Sequence, residues 1–342
     1  EIAQCLVGSE MCIRDRLYTV TSAEYETIHG CWCKAVRVLP DFSVVHKQDW
    51  FVRETYKPEL QKEGMSFLSR SFERHFNERP YLKHTCYLYL TKTTKERSRM
   101  QSNFSTLCRG NIIPKELDRE TTEKFMEATE QFARIMNDSG FIRLRRLSTD
   151  EITGTDGKAG VIERYFSLMP EGNATLQDIG LSAREMRIGD NYLCLHTLSD
   201  VEDLPGKVAT DTRYERLSTD RSDCRLSFAS PVWLLLPCKH IYNQYVMIDN
   251  SDENLLRFEK DARNMQSLSR YSRSNSINRE WIDQYLNEAH SYGLTSVRAH
   301  FNVMAWSDDA EELKRIKNDV GSQLASMGCM PRHNTIDCPT LY

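Results

Sequence analysis

No apolar run in this chain approaches the roughly eighteen residues that a membrane-spanning helix needs, so contact with a membrane has to go through partners. There is no surplus of positive charge either. Lys and Arg number 45 against 49 Asp and Glu, a net charge of -4, which argues against a dedicated nucleic-acid binder. The sequence contains no complete catalytic motif, no internal repeat and no low-complexity tract beyond a short Ser/Arg stretch at 267–276. The 11 cysteines are odd in number and irregular in spacing, and no secretory signal precedes them, which points to reduced thiols in a cytoplasmic setting. What remains is ordinary globular composition, 40% hydrophobic and 27% charged, over 342 residues, enough to bury a sizeable core in two domains.

Periodicity supplies the element plan. Tyr25, Ile28, Trp32, Ala35, Val36 and Leu39 recur at helical spacing over 22–38, with Thr21 or Ser22 as the cap and Pro40 as the stop. From Phe42 to Tyr56 the alternation is that of a strand, with Phe42, Val44, Trp50 and Val52 on one face. A short helix around 67–76 leads to a strand over 82–93, with Leu82, Cys86, Leu88 and Leu90 inward and Tyr87 and Tyr89 on the other face. Residues 119–137 read as a helix on Phe125, Thr129, Phe132, Ile135 and Met136, with Gly140 just past its end. A strand over 141–147 and a helix over 159–168 follow, and 170–180 reads as a boundary loop. Beyond it lie several short strands and a charged loop from Gly206 to Asp223.

The last third predicts strand, two helices, strand, helix, strand. The strands are 242–248, 297–305, where Val297, Ala299, Phe301, Val303 and Ala305 alternate along a half-buried face, and 330–336. Asp249-Asn250-Ser251 opens the first helix, the second carries Trp281, Tyr285, Ala289 and Tyr292 and stops at Gly293, and a capping box of Asp308 and Glu311 opens the last. This is an α+β plan of two mixed domains with helices on one face of each sheet, the final third ferredoxin-like in its β-α-α-β-α-β order.

Each candidate for chemistry has a bland competitor. Gly154-Thr155-Asp156-Gly157-Lys158-Ala159-Gly160 hints at a phosphate loop, but Ile152 stands where the first glycine belongs and Ala159 where a hydroxyl must hold magnesium. A flexible turn before a helix explains it better. Cys31 and Cys33 lie two apart on a helix, about 200° around it, and read as buried thiols rather than a metal or redox pair. Cys329, His333 and Cys338 are ligand types without a zinc spacing or a fourth ligand. His84 and Cys86 share a strand face but lack an orienting third group. Of Arg143, Arg145 and Arg146, which share one strand, Arg143 and Arg145 alternate with Ile142 and Leu144 as a solvated strand face does. Arg270, Tyr271 and Arg273 could touch single-stranded DNA through phosphate and stacking, though a surface linker is the commoner use of such residues. No catalytic, cofactor or metal residue is assigned.

Several stretches resemble one family. They are Val44-Val45-His46-Lys47-Gln48-Asp49-Trp50, the run from Ser66 through Phe72-Glu73-Arg74-His75-Phe76-Asn77-Glu78-Arg79-Pro80, Ile188-Gly189-Asp190-Asn191-Tyr192 and the block from Ile241 to Gly293. From about Leu17 to Tyr342 the chain resembles the front part of TraG of conjugative transposons, a relative of the motor ATPases of conjugation and type IV secretion. The resemblance implies a first α+β domain over 17–170, a second over 181–342, and a nucleotide-binding domain expected after 342 that would carry ATP and magnesium. It also implies a non-catalytic assembly role for this part. That role is docking on inner-membrane components of the transfer channel, cytoplasmic and peripheral through partners, in a homo-oligomer. The alternative is a single-stranded-DNA-binding adaptor using the Ser/Arg linker. Residues 1–16, with Cys5-Leu6-Val7-Gly8-Ser9-Glu10-Met11-Cys12-Ile13-Arg14-Asp15-Arg16, resemble a translated adapter rather than the family. Their apolar run is too short and too broken by acids for a secretory signal, and they are expected to carry no fold information.

Overall fold

A computed structural model describes residues 5–10, 20–56, 66–95, 118–168, 177–182, 186–198, 200–269 and 271–334. Helix α1, Ser22–Val38, starts where the sequence places it. Thr21 Oγ1 accepts from Glu24 N, and the Glu24 carboxylate accepts from Thr21 N (2.7 Å), so two otherwise orphaned donors are satisfied. The long hairpin of β2, Ser43–Thr55, and β3, Pro80–Lys92, pairs antiparallel along its whole length, with helix α2, Phe67–Asn77, in the connection. Then come α3 (Arg119–Asp138), β4 (Arg143–Arg146), α4 (Thr149–Thr153) and α5 (Val161–Ser167). The short strands are β5 (Ile179–Leu181), β6 (Met186–Ile188) and β7 (Asn191–Leu198), then the small hairpin of β8 (Asp211–Arg213) and β9 (Arg225–Ser227). After α6 (Ser230–Leu234) and β10 (His240–Ile248) stand α7 (Ser251–Leu268) and α8 (Arg273–Tyr292), then β11 (Val297–Ser307), α9 (Ala310–Ser326) and β12 (Arg332–Asn334).

The strands confirm the α+β class and correct its arrangement. Instead of two comparable sheets, the described residues form one of ten strands, ordered β4-β1-β3-β2-β10-β11-β7-β6-β5, with β12 also on β7, beside the two-stranded β8–β9. All its pairings are antiparallel. The boundary placed at 170–180 does not interrupt it, because β2 and β10 pair from Val44↔Met247 to Phe51↔His240. A strand buried on both faces cannot end a sheet without exposing its ladder, and β2 is such a strand, so a further strand has to lie beside it.

The helices also lie on both faces, not one. Ala35, Val36 and Leu39 of α1 and Phe125, Phe132 and Met136 of α3 pack on Val45, Leu88, Leu90 and Ile248. On the same face, Ile316, Val320 and Leu324 of α9 cover Tyr242, Val303 and Ala305. The opposite face carries Trp50, Tyr87, Ile241, Met304 and Trp306 under Val161 of α5 and Leu168.

The ferredoxin-like order fails for a physical reason. β10 and β11 are direct antiparallel neighbours, from His240↔Ala305 to Ile248↔Val297, so their connection needs no crossover over the sheet. α7 and α8 instead form a helical hairpin closed at its base by Asp249 N to Ser296 O (2.9 Å). Among its described residues only Ala262 and Ala289 are buried. β12 pairs with β7, away from β10. The cap of α9 moves by one residue, since Asp309 and not Asp308 accepts from Glu311 N (2.9 Å).

The amino-terminal expectation is overturned as well. Cys5–Glu10 forms a strand, β1, laddered to β3 from Cys5↔Leu90 to Ser9↔Cys86 and to β4 from Val7↔Arg146 to Glu10↔Arg143. Resemblance to an adapter does not bear on whether a six-residue segment can pair its backbone with an open strand edge.

Candidate functional site

The segment Val44–Trp50 lies mid-sheet, and its alternation sends polar groups into both faces. On one face Trp50 Nε1 donates to Gln48 Oε1 (2.7 Å), as does the Tyr89 hydroxyl (3.0 Å). Gln48 Nε2 donates to Asn243 Oδ1 (3.0 Å), and Asn243 Nδ2 donates to Asn302 Oδ1 (2.8 Å). The amide ladder therefore crosses β3, β2, β10 and β11. His46 stacks between Tyr89 (4.9 Å) and Tyr245 (3.9 Å) beside it.

On the other face Asp49 is wholly buried. It pairs with Lys47 and accepts from His84 Nε2 (2.8 Å). Burial alone would raise the Asp49 carboxyl, but the Lys47 ammonium and the His84 hydrogen bond outweigh it and hold the carboxyl below its ordinary value. Burial works against the Lys47 charge, and the Asp49 carboxylate restores it and raises its pKa. Trp233 of α6 closes over the cluster, with Lys47 Nζ 4.8 Å from its ring centroid and the His84 ring 4.8 Å away.

Asp49 is thus the orienting group that sequence reasoning did not find for His84. The clue was a run of charged residues in a strand with apolar neighbours on both faces. The constellation still does not make a nucleophile. Cys86 is 4% exposed, and the carboxylate is already committed to a lysine.

The remaining sequence candidates separate. Thr155 and Lys158 close a tight turn in which Gly157 has φ 93°. Glu163 Oε2 accepts from Gly160 N (2.9 Å), so a carboxylate already occupies the start of α5 where a phosphate would have to sit. A Cβ added to Gly154 would lie 2.1 Å from that oxygen, which explains the glycine. Cys31 and Cys33 are free but not buried as expected, since Cys33 is exposed with His29 Nε2 3.6 Å from its sulfur. Cys329 is buried, His333 packs against His196 with centroids 5.2 Å apart, and Cys338 lies outside the described residues. Among the described residues no group of three or more His, Cys, Asp or Glu is placed to hold a metal ion. Arg145 is held by Glu151 in a two-pronged pair (2.8 and 2.9 Å). Arg270 lies outside the described residues, Tyr271 is 84% exposed in the α7–α8 turn, and Arg273 opens α8.

A cavity of about 610 Å³ lies at the strand ends, floored by Trp50, Tyr87 and Trp306. Its rim mixes Arg53, Lys83 and Lys239 with Glu54, Asp308 and Glu312, so neither sign of charge prevails.

The most unusual surfaces are the two helical insertions. The α7–α8 hairpin leaves Leu256, Ile277, Trp281 and Tyr292 exposed, although Trp281 and Tyr292 lie on the stripe that sequence alone assigns to packing. Between the two helices Tyr285 meets Phe258 at 5.1 Å. Helix α2 buries none of its residues. No helix among the described residues is long and apolar enough to cross a membrane. No family model matches the chain, and no curated protein matches it either.

Proposed function

We propose that this chain is the assembly region at the front of a TraG-like conjugation ATPase, docking the motor on inner-membrane components of the transfer channel without itself catalysing. In this reading ATP and magnesium belong to a nucleotide-binding domain beyond residue 342, and the full protein works as a homo-oligomer. The observation that carries the reading is the α7–α8 hairpin, within the block from Ile241 to Gly293 that bears the resemblance. It stands off the sheet with Trp281 65% exposed, beside Ile277 and Tyr292. Large aromatics on a rigid support are the side chains that anchor protein interfaces. The buried polar ladder and the Lys47–Asp49–His84 cluster act as internal scaffolding in this view. Co-purification from donor cells tests it. The native chain should retain the channel's inner-membrane components and Trp281→Glu with Ile277→Glu should lose them. Equal retention by both would contradict it.

A second reading, contact with single-stranded DNA, is favoured by the 84% exposure of Tyr271 next to Arg273 at the hairpin turn. Binding that weakens steeply with salt and disappears in Tyr271→Ala with Arg273→Ala would support it.

A further inference from the structure

The inference concerns α2 and corrects the expectation that membrane contact has to go through partners, because the lack of a spanning helix does not exclude a helix that lies on the lipid surface. Leu68, Phe72 and Phe76 follow at four-residue spacing, so at about 100° per residue they fall within one narrow arc. Arg70, Glu73, Arg74 and Asn77 occupy the opposite side. The apolar arc meets little cover among the described residues, for Leu68 is 78% exposed, Phe72 61% and Phe76 43%, while Phe67 falls on the side of Arg74. Phe72 and Phe76 meet each other along the helix (4.6 Å), and Phe76 also meets Tyr56 at the helix base (6.2 Å). Tyr81, also at the base and 41% exposed, donates its hydroxyl to Glu54 (2.9 Å).

We propose that α2 is a membrane-surface helix, seating Leu68, Phe72 and Phe76 in an anionic lipid leaflet with Tyr56 and Tyr81 at headgroup level. Short helices with an aromatic apolar face and arginines opposite are built to lie in that interface. The charges agree. Glu78 occupies Arg74 (2.7 Å), but Arg70 and Arg79 form no ion pair among the described residues, which leaves them for lipid phosphates. Arg79 is instead placed beside His75 Nε2 (2.9 Å). A second copy of the helix is a poorer occupant. Three side chains on 11 residues offer on the order of 300 Å², less than half of what each partner gives a stable dimer. A lipid surface needs no matching shape, only the apolar arc and the cations.

Flotation with vesicles tests this directly. The native chain should float with vesicles containing about one third anionic lipid and far less with neutral vesicles. Leu68→Glu with Phe72→Glu should reduce binding to both at least about ten-fold. Arg70→Glu and Arg79→Glu should each cost about five-fold on anionic vesicles only. Because α2 buries nothing, these variants should unfold at the native temperature, and Trp281→Glu should float normally. A native chain that stays at the bottom of the gradient, or an Leu68→Glu, Phe72→Glu variant that still floats, overturns the proposal. Either result leaves docking through the α7–α8 hairpin to stand or fall on its own co-purification.

Discussion

Asp49 is the side chain on which most depends locally. Removing it strands Lys47 in a half-closed site under Trp233 with no counter-charge. Asp49→Ala should therefore cost about 3–5 kcal/mol in urea unfolding, the scale for breaking a buried pair from one side. A loss under about 1 kcal/mol would mean that solvent already reaches the cluster. The histidines give a pH signature. Burial pushes His46, His196 and His240 down to about 4, with hydrogen bonds to His46 and His240 only partly offsetting it and His333 adding to it at His196. A histidine whose folded value is depressed leaves stability intact above its unfolded value near 6.5 and loses it as pH falls towards 4. By pH 5 each contributes a loss of about 2 kcal/mol, so the melting temperature should fall clearly between pH 7 and 5. A flat profile over that range would contradict their burial. The pairing was not legible in the sequence, where the charged run in β2 hinted at a buried cluster but His84 lacked a partner. Which residues face each other across strands depends on register, and register follows from pairing that the sequence leaves open.

At the scale of elements, local rules worked where local chemistry decides. The capping box at Thr21, the Asn250 cap that opens α7 and the left-handed glycine at 293 that stops α8 stand where the residues place them. Strand phase was legible for β11, but its burial was not. Val303 and Ala305 are buried as expected, yet so are Met304 and Trp306 on the opposite face, while Phe301 is only half-buried. Trp306→Ala should cost about 3–5 kcal/mol and Phe301→Ala roughly half as much. The reverse ranking in chemical denaturation would show the strand turned over. The α7–α8 hairpin supports a second expectation. Since its helices pack chiefly on each other, replacing 251–295 with a tight turn should leave the remaining sheet folding cooperatively, with little change in melting temperature. Collapse to an unfolded spectrum would show that the sheet depends on it.

For the whole molecule, the error was in counting sheets. Composition and the 170–180 loop suggest two domains, but the seam of β2 and β10 lies between segments some two hundred residues apart, and no local pattern announces it. One sheet predicts one transition. Tryptophan fluorescence and far-UV dichroism should report the same midpoint, and 17–170 and 181–342 made separately should not fold. Two separated midpoints would restore the two-domain picture. The functional account asks more of the molecule, because it treats the sheet as a platform and the hairpin as its contact surface. A photo-crosslinking amino acid placed at position 281 in donor cells tests that most directly. The account predicts crosslinks to an inner-membrane component of the transfer channel, lost in cells that lack the channel. The absence of such crosslinks, or the same products with and without the channel, would contradict it.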